Sequence, residues 1–300
     1  MSQGYPQARE PFRKRRPLVF FFLVLLSLLI LIRILLAVWD ALDSKGVFSG
    51  PRIGLVRLEG FIGDAEKVVS WTEKLRRDSS VAGVLIRIDS PGGAVAPSQE
   101  IHTAFKRLAM AKPTVVSMGS VAASGGYYAA VAANEIFASP STLTGSIGVR
   151  LQLTNMRGLM ERIGVSSESL TTGAFKAVGS PFEEVTPEQR AYLKSLLEDM
   201  QDEFVTAVAQ GRNMTKDAVK RYADGRVLTG RQALEAKLID HIGDREAAVT
   251  RLMALCAMET MPDILEAPEQ AAPWWKLLLT SVLDLEAARA TEVSRYTFCY

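Results

Sequence analysis

The chain has 300 residues, of which 48% are hydrophobic, and this is enough to bury a core in one large domain or two smaller ones. Its 35 basic and 33 acidic residues leave a formal net charge of +2, so the basic surplus typical of nucleic-acid-binding proteins is missing. The two histidines, His102 and His241, and the two cysteines, Cys256 and Cys299, lack the spacing of metal ligands, which argues against a metal site.

An apolar segment near the N-terminus runs from Leu18 to Trp39. At about 1.5 Å per residue, it is long enough to cross the roughly 30 Å hydrocarbon layer as a helix. The basic run Arg13–Arg16 precedes it and Asp40 and Asp43 follow it, so the positive-inside rule places the N-terminus in the cytoplasm. Arg33 is tolerable if it lies near the outer interface and extends toward the headgroups. A cleaved signal peptide is the alternative, but the run exceeds an h-region of about 7 to 15 residues and lacks a small-x-small site.

Strand-like runs alternate with helix-like segments after residue 51, which is typical of an α/β domain with a largely parallel sheet. Strands are predicted at 53–60, 83–90 and 113–120, and helices at 66–77, 97–110, about 124–133 and 187–210. Thr186 is the predicted N-cap of the last helix, and Pro187 is its first residue. The predicted organisation is a cytoplasmic basic tail 1–17, an anchor 18–39, a linker 40–51, a globular domain 52–255 and a C-terminal linker and apolar tail 256–300.

The C-terminal tail differs in composition from the domain before it. A stretch rich in Pro, Ala and Glu, Ala267–Pro273, indicates a linker, and the apolar segment Trp274–Leu285 that follows is too short to span a membrane. This segment could lie in the membrane interface, dock on a neighbouring protomer or pack on its own domain.

Cys256 and Cys299 could pair in an oxidising compartment, or they could be two unrelated thiols.

Two glycine-rich turns, Asp89–Gly93 and Gly119–Gly126, follow predicted strands. Glycines allow backbone N–H groups to approach an anionic centre, and a helix beginning near Ser124 would add its positive N-terminal end. Both features suit an oxyanion hole. The alternative is that the first turn is only a tight turn and Ser124 only a helix N-cap. Neither turn matches the phosphate-binding patterns GxxxxGK[ST] and GxGxxG.

A serine nucleophile needs a base, and neither histidine is well placed, because His102 falls inside a predicted helix and His241 in a turn near the end of the domain. A lysine can replace histidine where burial disfavours its ammonium form. Lys176 is a candidate, because no carboxylate lies within several residues of it in the segment GAFKAVG. An ordinary solvated lysine is the alternative interpretation.

Five segments resemble, in order, the motifs of the signal peptide peptidase A family, which are serine proteases of the S49 peptidase type with a Ser–Lys dyad. They are DSPGG (89–93), SMGSVAASGGYYAA (117–130), TLTGSIGV (142–149), TTGAFKAVGSPF (171–182) and ADGRVLTGRQA (223–233). The resemblance covers most of residues 52–250. The interval between Ser124 and Lys176 is similar to that of the short, single-copy members.

The resemblance implies a crotonase/ClpP-like α/β fold behind an N-terminal transmembrane helix, and cleavage of residual signal peptides in the membrane after their release from preproteins. Ser124 then matches the nucleophile, Lys176 the general base, and Ser146 a hydroxyl that orients the lysine. Gly93 and Gly125 match the two backbone N–H donors of the oxyanion hole. The implied chemistry is acyl transfer without a metal or a cofactor.

The resemblance also implies partners and a location. Its short members form rings in which serine and lysine meet across a subunit boundary, with the catalytic domain on the extracytoplasmic side of the bacterial membrane. Signal peptides or other apolar peptides are the expected substrates, in an apolar cleft beside Val95, Ala122 and Ala123. Phe175 and Ala177 depart from the family pattern, which often has polar or hydroxylated aromatic neighbours beside the lysine.

Two other functions are considered. A crotonase-type acyl-CoA hydratase or isomerase also uses two backbone N–H groups, there for a thioester enolate, but the anchor and the Ser124–Lys176 pair argue against it. A membrane scaffold or inhibitor of the same fold that has lost activity is the other alternative, and the presence of every expected catalytic residue argues against that one.

Overall fold

The computed structural model describes residues 17–43 and 51–268, with side chains from 18 to 39 in the first range. Predictions for the remaining residues, among them the Trp274–Leu285 segment and Cys299, lie outside the described part of the chain. Helix α1 runs Pro17–Asp43. Its Leu18–Trp39 portion is long and apolar enough to cross a membrane, and its large hydrophobic side chains are exposed on all sides. This helix is therefore compatible with membrane anchoring.

The second unit of the chain is a mixed α/β domain built on one sheet. Its strands are β1 (Arg52–Ile62), β2 (Val81–Gly93), β3 (Thr114–Ala123), β4 (Glu135–Ala138), β5 (Leu143–Gly145), β6 (Val227–Thr229), β7 (His241–Ile242) and β8 (Ile264–Leu265). Its helices are α2 (Glu66–Arg77), α3 (Val95–Ala109), α4 (Gly125–Ala130), α5 (Arg157–Arg162), α6 (Pro187–Gly211), α7 (Lys216–Lys220), α8 (Gly230–Glu235) and α9 (Arg245–Leu255).

The strands are arranged in the order β6-β5-β3-β2-β1-β8, and β4 pairs with both β3 and β7. The pairing is parallel throughout except between β5 and β6. The predicted largely parallel sheet is therefore confirmed. Strand β8, which pairs with β1, lies beyond residue 255, so one strand of the sheet falls outside the range predicted for the domain.

Alternate residues of the central strands face two different hydrophobic clusters. Leu55, Leu85 and Val115 are aligned across β1, β2 and β3 and pack with α9 on one face. Their neighbours one residue along the chain face the other cluster, which contains buried side chains of α3, α4 and α6. Because both faces are covered, the strands are apolar on both sides, as is typical of parallel sheets.

Most local predictions agree with the observed elements. Helix α2 has the predicted bounds, and the Thr186 side chain accepts a hydrogen bond from the Gln189 backbone N–H in a capping box, with Pro187 at the first helical turn. Helix α4 is shorter than predicted and ends at Ala130. Beyond Ala130 the chain turns back toward the start of β3. There the Asn134 side-chain oxygen accepts a hydrogen bond from the Thr114 backbone N–H at 2.8 Å.

Between Arg150 and Thr186 the chain contains a single short helix, α5, and is largely exposed; we call residues 150–186 the exposed segment. It carries apolar side chains on its surface, including Leu159, Ile163 and Leu170, which are 54%, 62% and 93% exposed. Single exposed apolar residues are common, but a concentration of them is typical of an interaction surface.

Candidate active site

Ser124 lies at the sharp turn between β3 and α4, with φ 55° and ψ −121°. A residue with a Cβ atom rarely adopts this conformation, and such strain is concentrated at functional positions. Two backbone hydrogen bonds fix the turn: the Ser124 N–H donates to the Gly145 carbonyl, and its carbonyl accepts from the Tyr128 N–H, both at 2.8 Å. Ser124 is the N-cap residue of α4, but its side chain makes no capping hydrogen bond.

The glycine turn at the end of β2 packs directly against this serine. A Cβ atom on Gly92, where φ is 101°, would lie 2.8 Å from the Ser124 Cβ and 2.7 Å from the Gly125 nitrogen. A Cβ atom on Gly125 would lie 3.2 Å from the Gly93 nitrogen. Only glycine allows backbones to approach this closely. The N–H groups of Gly93 and Gly125 therefore belong to adjoining backbone segments beside Ser124, although their oxyanion role stays a prediction.

Two buried serines support this arrangement. The Ser90 hydroxyl donates to the Gly60 carbonyl at 2.6 Å and accepts from the Gly92 N–H at 3.1 Å. The Ser98 hydroxyl donates to the Ala94 carbonyl at 2.8 Å, and a Cβ atom on Gly125 would overlap it. The sequence analysis did not identify either serine. Ser90 is part of the DSPGG segment, whereas nothing in the local sequence distinguishes Ser98 from any other helical serine.

A cavity of about 660 Å³ lies beside Ser124, a volume in the range of known ligand pockets. Ser124 and Ser146 both line it, together with Arg150, Asp224, and Lys194 and Glu198 of α6. Gln201 of the same helix connects two loops beside the cavity. Its amide N–H groups donate hydrogen bonds to the Ala223 carbonyl at 2.9 Å and to the Ile147 carbonyl at 3.4 Å.

Ser146 reaches the cavity because the chain changes direction at the end of β5. Gly145 and Ser146 both have left-handed backbones, with φ of 73° and 51°. The turn is held by the Ser146 N–H, which donates to the Arg226 carbonyl at 2.9 Å. Just before this turn, the Thr144 hydroxyl donates a hydrogen bond to the Ala122 carbonyl at 2.7 Å. The structure thus brings Ser124 and Ser146 together.

Lys176 is in a different position. It lies in the exposed segment, its side chain is exposed in the single chain, and it is not among the residues that line the cavity of Ser124. Its backbone N–H donates to the Gly173 carbonyl at 3.1 Å. The burial that the sequence analysis expected for a lysine base is therefore absent from the single chain, and within it Ser124 and Lys176 do not share a cavity.

The sequence analysis did not identify a second lysine, Lys194, which does line the cavity. It forms an ion pair with Glu198, with 3.5 Å between the Nζ and Oε1 atoms, and both side chains are exposed. Residues four positions apart are neighbours on the surface of a helix, so the sequence of the predicted helix already indicated that Lys194 and Glu198 could pair. Only the packing of α6 beside β5 shows that the pair adjoins Ser124.

Comparison with known proteins follows this geometry. The model of peptidase family S49 matches residues 106–259, a range that contains Ser124, Ser146 and Lys176. A relative from Synechocystis sp. is 39% identical over 216 residues, which make up 72% of this chain and 77% of the relative. The chain belongs to peptidase family S49.

Two further relatives extend the similarity of this S49 peptidase. One from Methanocaldococcus jannaschii is 32% identical over 264 residues, covering 83% of this chain and 84% of the relative. It and the Synechocystis relative carry provisional protease names. One from Enterococcus faecium, provisionally named as signal peptide peptidase SppA, is 39% identical over 188 residues, which are 62% of this chain and 55% of the relative. The predicted assignment, an SppA-like serine protease, is confirmed.

The two histidines of this S49 peptidase have other contacts. His102 packs on Tyr128 with 4.8 Å between ring centroids, and burial, with a smaller contribution from Lys106, lowers the pKa of His102 to about 4. His241 lies 3.1 Å from the Glu135 carboxylate. Neither histidine is among the residues that line the cavity of Ser124.

The three residues predicted to line the cleft are not the ones that line it. Val95, Ala122 and Ala123 are all buried, and none of them lines the cavity. Ala122 and Ala123 lie on β3, an interior strand that α4 and α9 contact, and Val95 lies in the first turn of α3, so other parts of the domain cover all three side chains. The cavity wall instead combines apolar side chains, Val149 and Leu197 among them, with polar and charged side chains from the loop after β5 and from α6.

Proposed function

We propose that this S49 peptidase is a membrane-anchored endopeptidase that degrades residual signal peptides, with Ser124 as nucleophile and Lys176 as general base. The observation that carries the proposal is the strained turn of Ser124, which lies beside two glycine N–H groups and opens on a cavity. The name of the Enterococcus faecium relative supports the substrate class. The mixed sheet and the family membership support a crotonase/ClpP-like fold for a peptidase domain that begins at residue 52 and, with β8, extends past residue 255.

In the proposed reaction, the Ser124 hydroxyl attacks the carbonyl carbon of the scissile bond while the Lys176 amine accepts its proton. The oxygen of that carbonyl becomes an oxyanion and accepts hydrogen bonds from the N–H groups of Gly93 and Gly125. The resulting lysine ammonium then donates the proton to the leaving amine, and an acyl-enzyme forms on Ser124. A water molecule, deprotonated by the same amine, hydrolyses the acyl-enzyme. Ser146 orients the lysine through its hydroxyl.

The proposal includes a site shared between protomers. Lys176 is exposed and outside the cavity of Ser124, and it lies on the exposed segment whose apolar side chains have no cover in the single chain. A second copy packed on this segment would bury those side chains and would desolvate the lysine. We therefore propose a ring-shaped homo-oligomer in which Lys176 of one protomer enters the Ser124 cavity of its neighbour.

The apolar helix α1 supports the proposed location. The four basic residues Arg13–Arg16 before it support a cytoplasmic N-terminal tail 1–17, and in the proposed orientation the linker 40–51 leads to a peptidase domain on the extracytoplasmic side of the bacterial membrane. The tail 256–300 completes the proposed organisation. Signal peptides stay in the membrane after their release, so the anchor keeps the enzyme at the surface where its substrates accumulate.

The experiment that tests the proposal measures peptide cleavage by the full chain in detergent. Ser124→Ala and Lys176→Ala should both be inactive, and Lys220→Ala, a change at an exposed lysine far along the sequence, should be fully active. Equal co-assembly of the two inactive variants should restore roughly a quarter of the sites, because half of the serines and half of the lysines are intact. Normal cleavage by Lys176→Ala, with loss in Lys194→Ala, would replace the proposed base with Lys194. Two inactive variants that never complement would place the dyad within one chain.

A further inference from the structure

The charged side chains around the Ser124 cavity are not equally compensated. Lys194 and Glu198 neutralise each other in their ion pair. Asp224 is held by the Arg226 guanidinium, whose Nε and terminal nitrogen contact both carboxylate oxygens at 2.5 to 2.9 Å. These hydrogen bonds lower the pKa of Asp224 to about 2, so the carboxylate is ionised and matched by its arginine.

Arg150 is the exception among the charged residues of this cavity. It lies four positions after Ser146 on the loop that leaves β5, its side chain is exposed, and no ion pair to it is found in the range 51–268. With the other three charges matched, the cavity has one uncompensated positive charge on the same wall as Ser146. A guanidinium binds a carboxylate through two parallel hydrogen bonds, and this geometry makes arginine a better carboxylate ligand than lysine.

We propose that Arg150 is a substrate-specificity residue that binds a carboxylate of the peptide while its scissile bond lies at Ser124. This inference rests on the proposed peptidase site. The carboxylate is either the free C-terminus of the peptide or an Asp or Glu side chain near the scissile bond. A free C-terminus follows from the chemistry of the substrate, because the hydrolysis that releases a signal peptide leaves a new carboxylate at its end. The reaction that supplies the substrate is then a peptide-bond hydrolysis.

The test compares matched peptides cleaved by the full chain in detergent. One pair has the same sequence and ends either in a carboxylate or in a carboxamide; a second pair, both amidated, carries Glu or Gln near the scissile bond. In one of the two pairs, the wild type should cleave the carboxylate peptide with a kcat/KM about tenfold higher than that of its uncharged partner. A tenfold ratio is what the free energy of one charge-assisted hydrogen bond would give. Arg150→Gln should reduce that ratio to about one, Arg150→Lys should retain part of it, and Arg231→Gln, at an exposed arginine of α8, should retain all of it.

The two pairs distinguish the sources of the carboxylate, since preference in the first pair identifies the C-terminus and preference in the second an acidic side chain. Equal rates for both members of both pairs would overturn the inference, and so would a ratio that survives Arg150→Gln. The peptidase proposal would stand in either case, provided that cleavage depends on Ser124. If no peptide is cleaved, binding of the labelled carboxylate and amide peptides to Ser124→Ala, with and without Arg150→Gln, decides the inference separately. Equal affinities would overturn it there too.

Discussion

Replacing Gly93 with alanine tests the oxyanion hole by geometry rather than by removing a functional side chain. A Cβ atom at this position would overlap the Ile62 carbonyl oxygen and lie 2.5 Å from the Ile62 nitrogen. Ile62 and Gly93 are paired at the ends of β1 and β2, so no side chain can rotate to relieve the contact. Ordinary contact begins at 3.4 Å, so the two strands must separate by roughly 1 Å, a displacement that can cost about 10²-fold in rate.

The expected effect falls on kcat. Displacing one of the two proposed N–H donors should lower kcat by about 10² to 10³ while KM changes little, because the donor binds the charge that develops in the transition state. The overpacking should also lower the free energy of unfolding by about 1 to 3 kcal/mol. Steady-state cleavage of a fluorogenic peptide measures the first effect. Thermal unfolding followed by circular dichroism measures the second and shows whether the variant is folded at the assay temperature.

Gly63→Ala is the matched control, at the glycine that follows Ile62 after β1. The nearest atoms to a Cβ at Gly63 belong to the Phe61 ring at 3.8 Å, which is ordinary van der Waals contact, and the backbone there has no positive φ. Its kcat and its stability should both match the wild type. A folded Gly93→Ala enzyme with wild-type kcat would refute the assignment of Gly93 as an oxyanion donor, since the substitution cannot leave that N–H in place.

Three further predictions concern stability and the anchor. The pKa of His102 is 6.5 in an unfolded chain and about 4 here, so acidification protonates the unfolded state first, and about 3 kcal/mol of stability should be lost as the pH falls from 6.5 to 4. His102→Phe should remove that dependence in denaturant titrations at several pH values. Hydrogen bonds from Arg251, and then His241, lower the pKa of Glu135 below its ordinary 4.5. The ionised carboxylate therefore stabilises the fold above pH 4.5, and this stabilisation is lost as the pH falls through the lowered pKa of the folded state. Glu135→Gln should therefore cost about 1 kcal/mol at pH 7, a small value because Arg251 is 46% exposed, and less in acid. Deleting residues 1–39 should spare cleavage of soluble peptides and reduce turnover of substrates in vesicles.

Each of these predictions has an outcome that contradicts it. An unchanged pH slope in His102→Phe would mean that another buried group controls acid stability. A deficit in Glu135→Gln that is equal at pH 7 and at pH 3 would show that packing, and not the charge of the carboxylate, is responsible. Equal loss of soluble and vesicle-bound turnover after the deletion would show that residues 1–39 support folding or assembly instead of substrate access.

Local sequence patterns were sufficient for the apolar N-terminal helix and for most of the individual elements. The apolar run Leu18–Trp39 indicates its helix by length alone, and the Thr186 capping box and the start of α2 depend on neighbouring residues only. The turn at Ser124 was also visible, because Gly125 and Gly126 follow it directly and the second glycine run, Gly92 and Gly93, follows the preceding predicted strand. These features are set by interactions between residues a few positions apart, so the sequence contains them directly.

The surroundings of Ser124 depended on tertiary structure. Arg150, Lys194 and Asp224 are far apart in the chain and line one cavity only because β5 lies beside β3 and Gln201 of α6 hydrogen-bonds to the loop after β5. The same long-range packing buries Val95, Ala122 and Ala123, which by composition alone resembled the wall of an apolar cleft, and it leaves Lys176 outside the cavity. The sequence by itself determined which residues could react. The register of distant strands and the packing of helices on them decided what surrounds Ser124, because those contacts depend on the whole sheet and not on any local pattern.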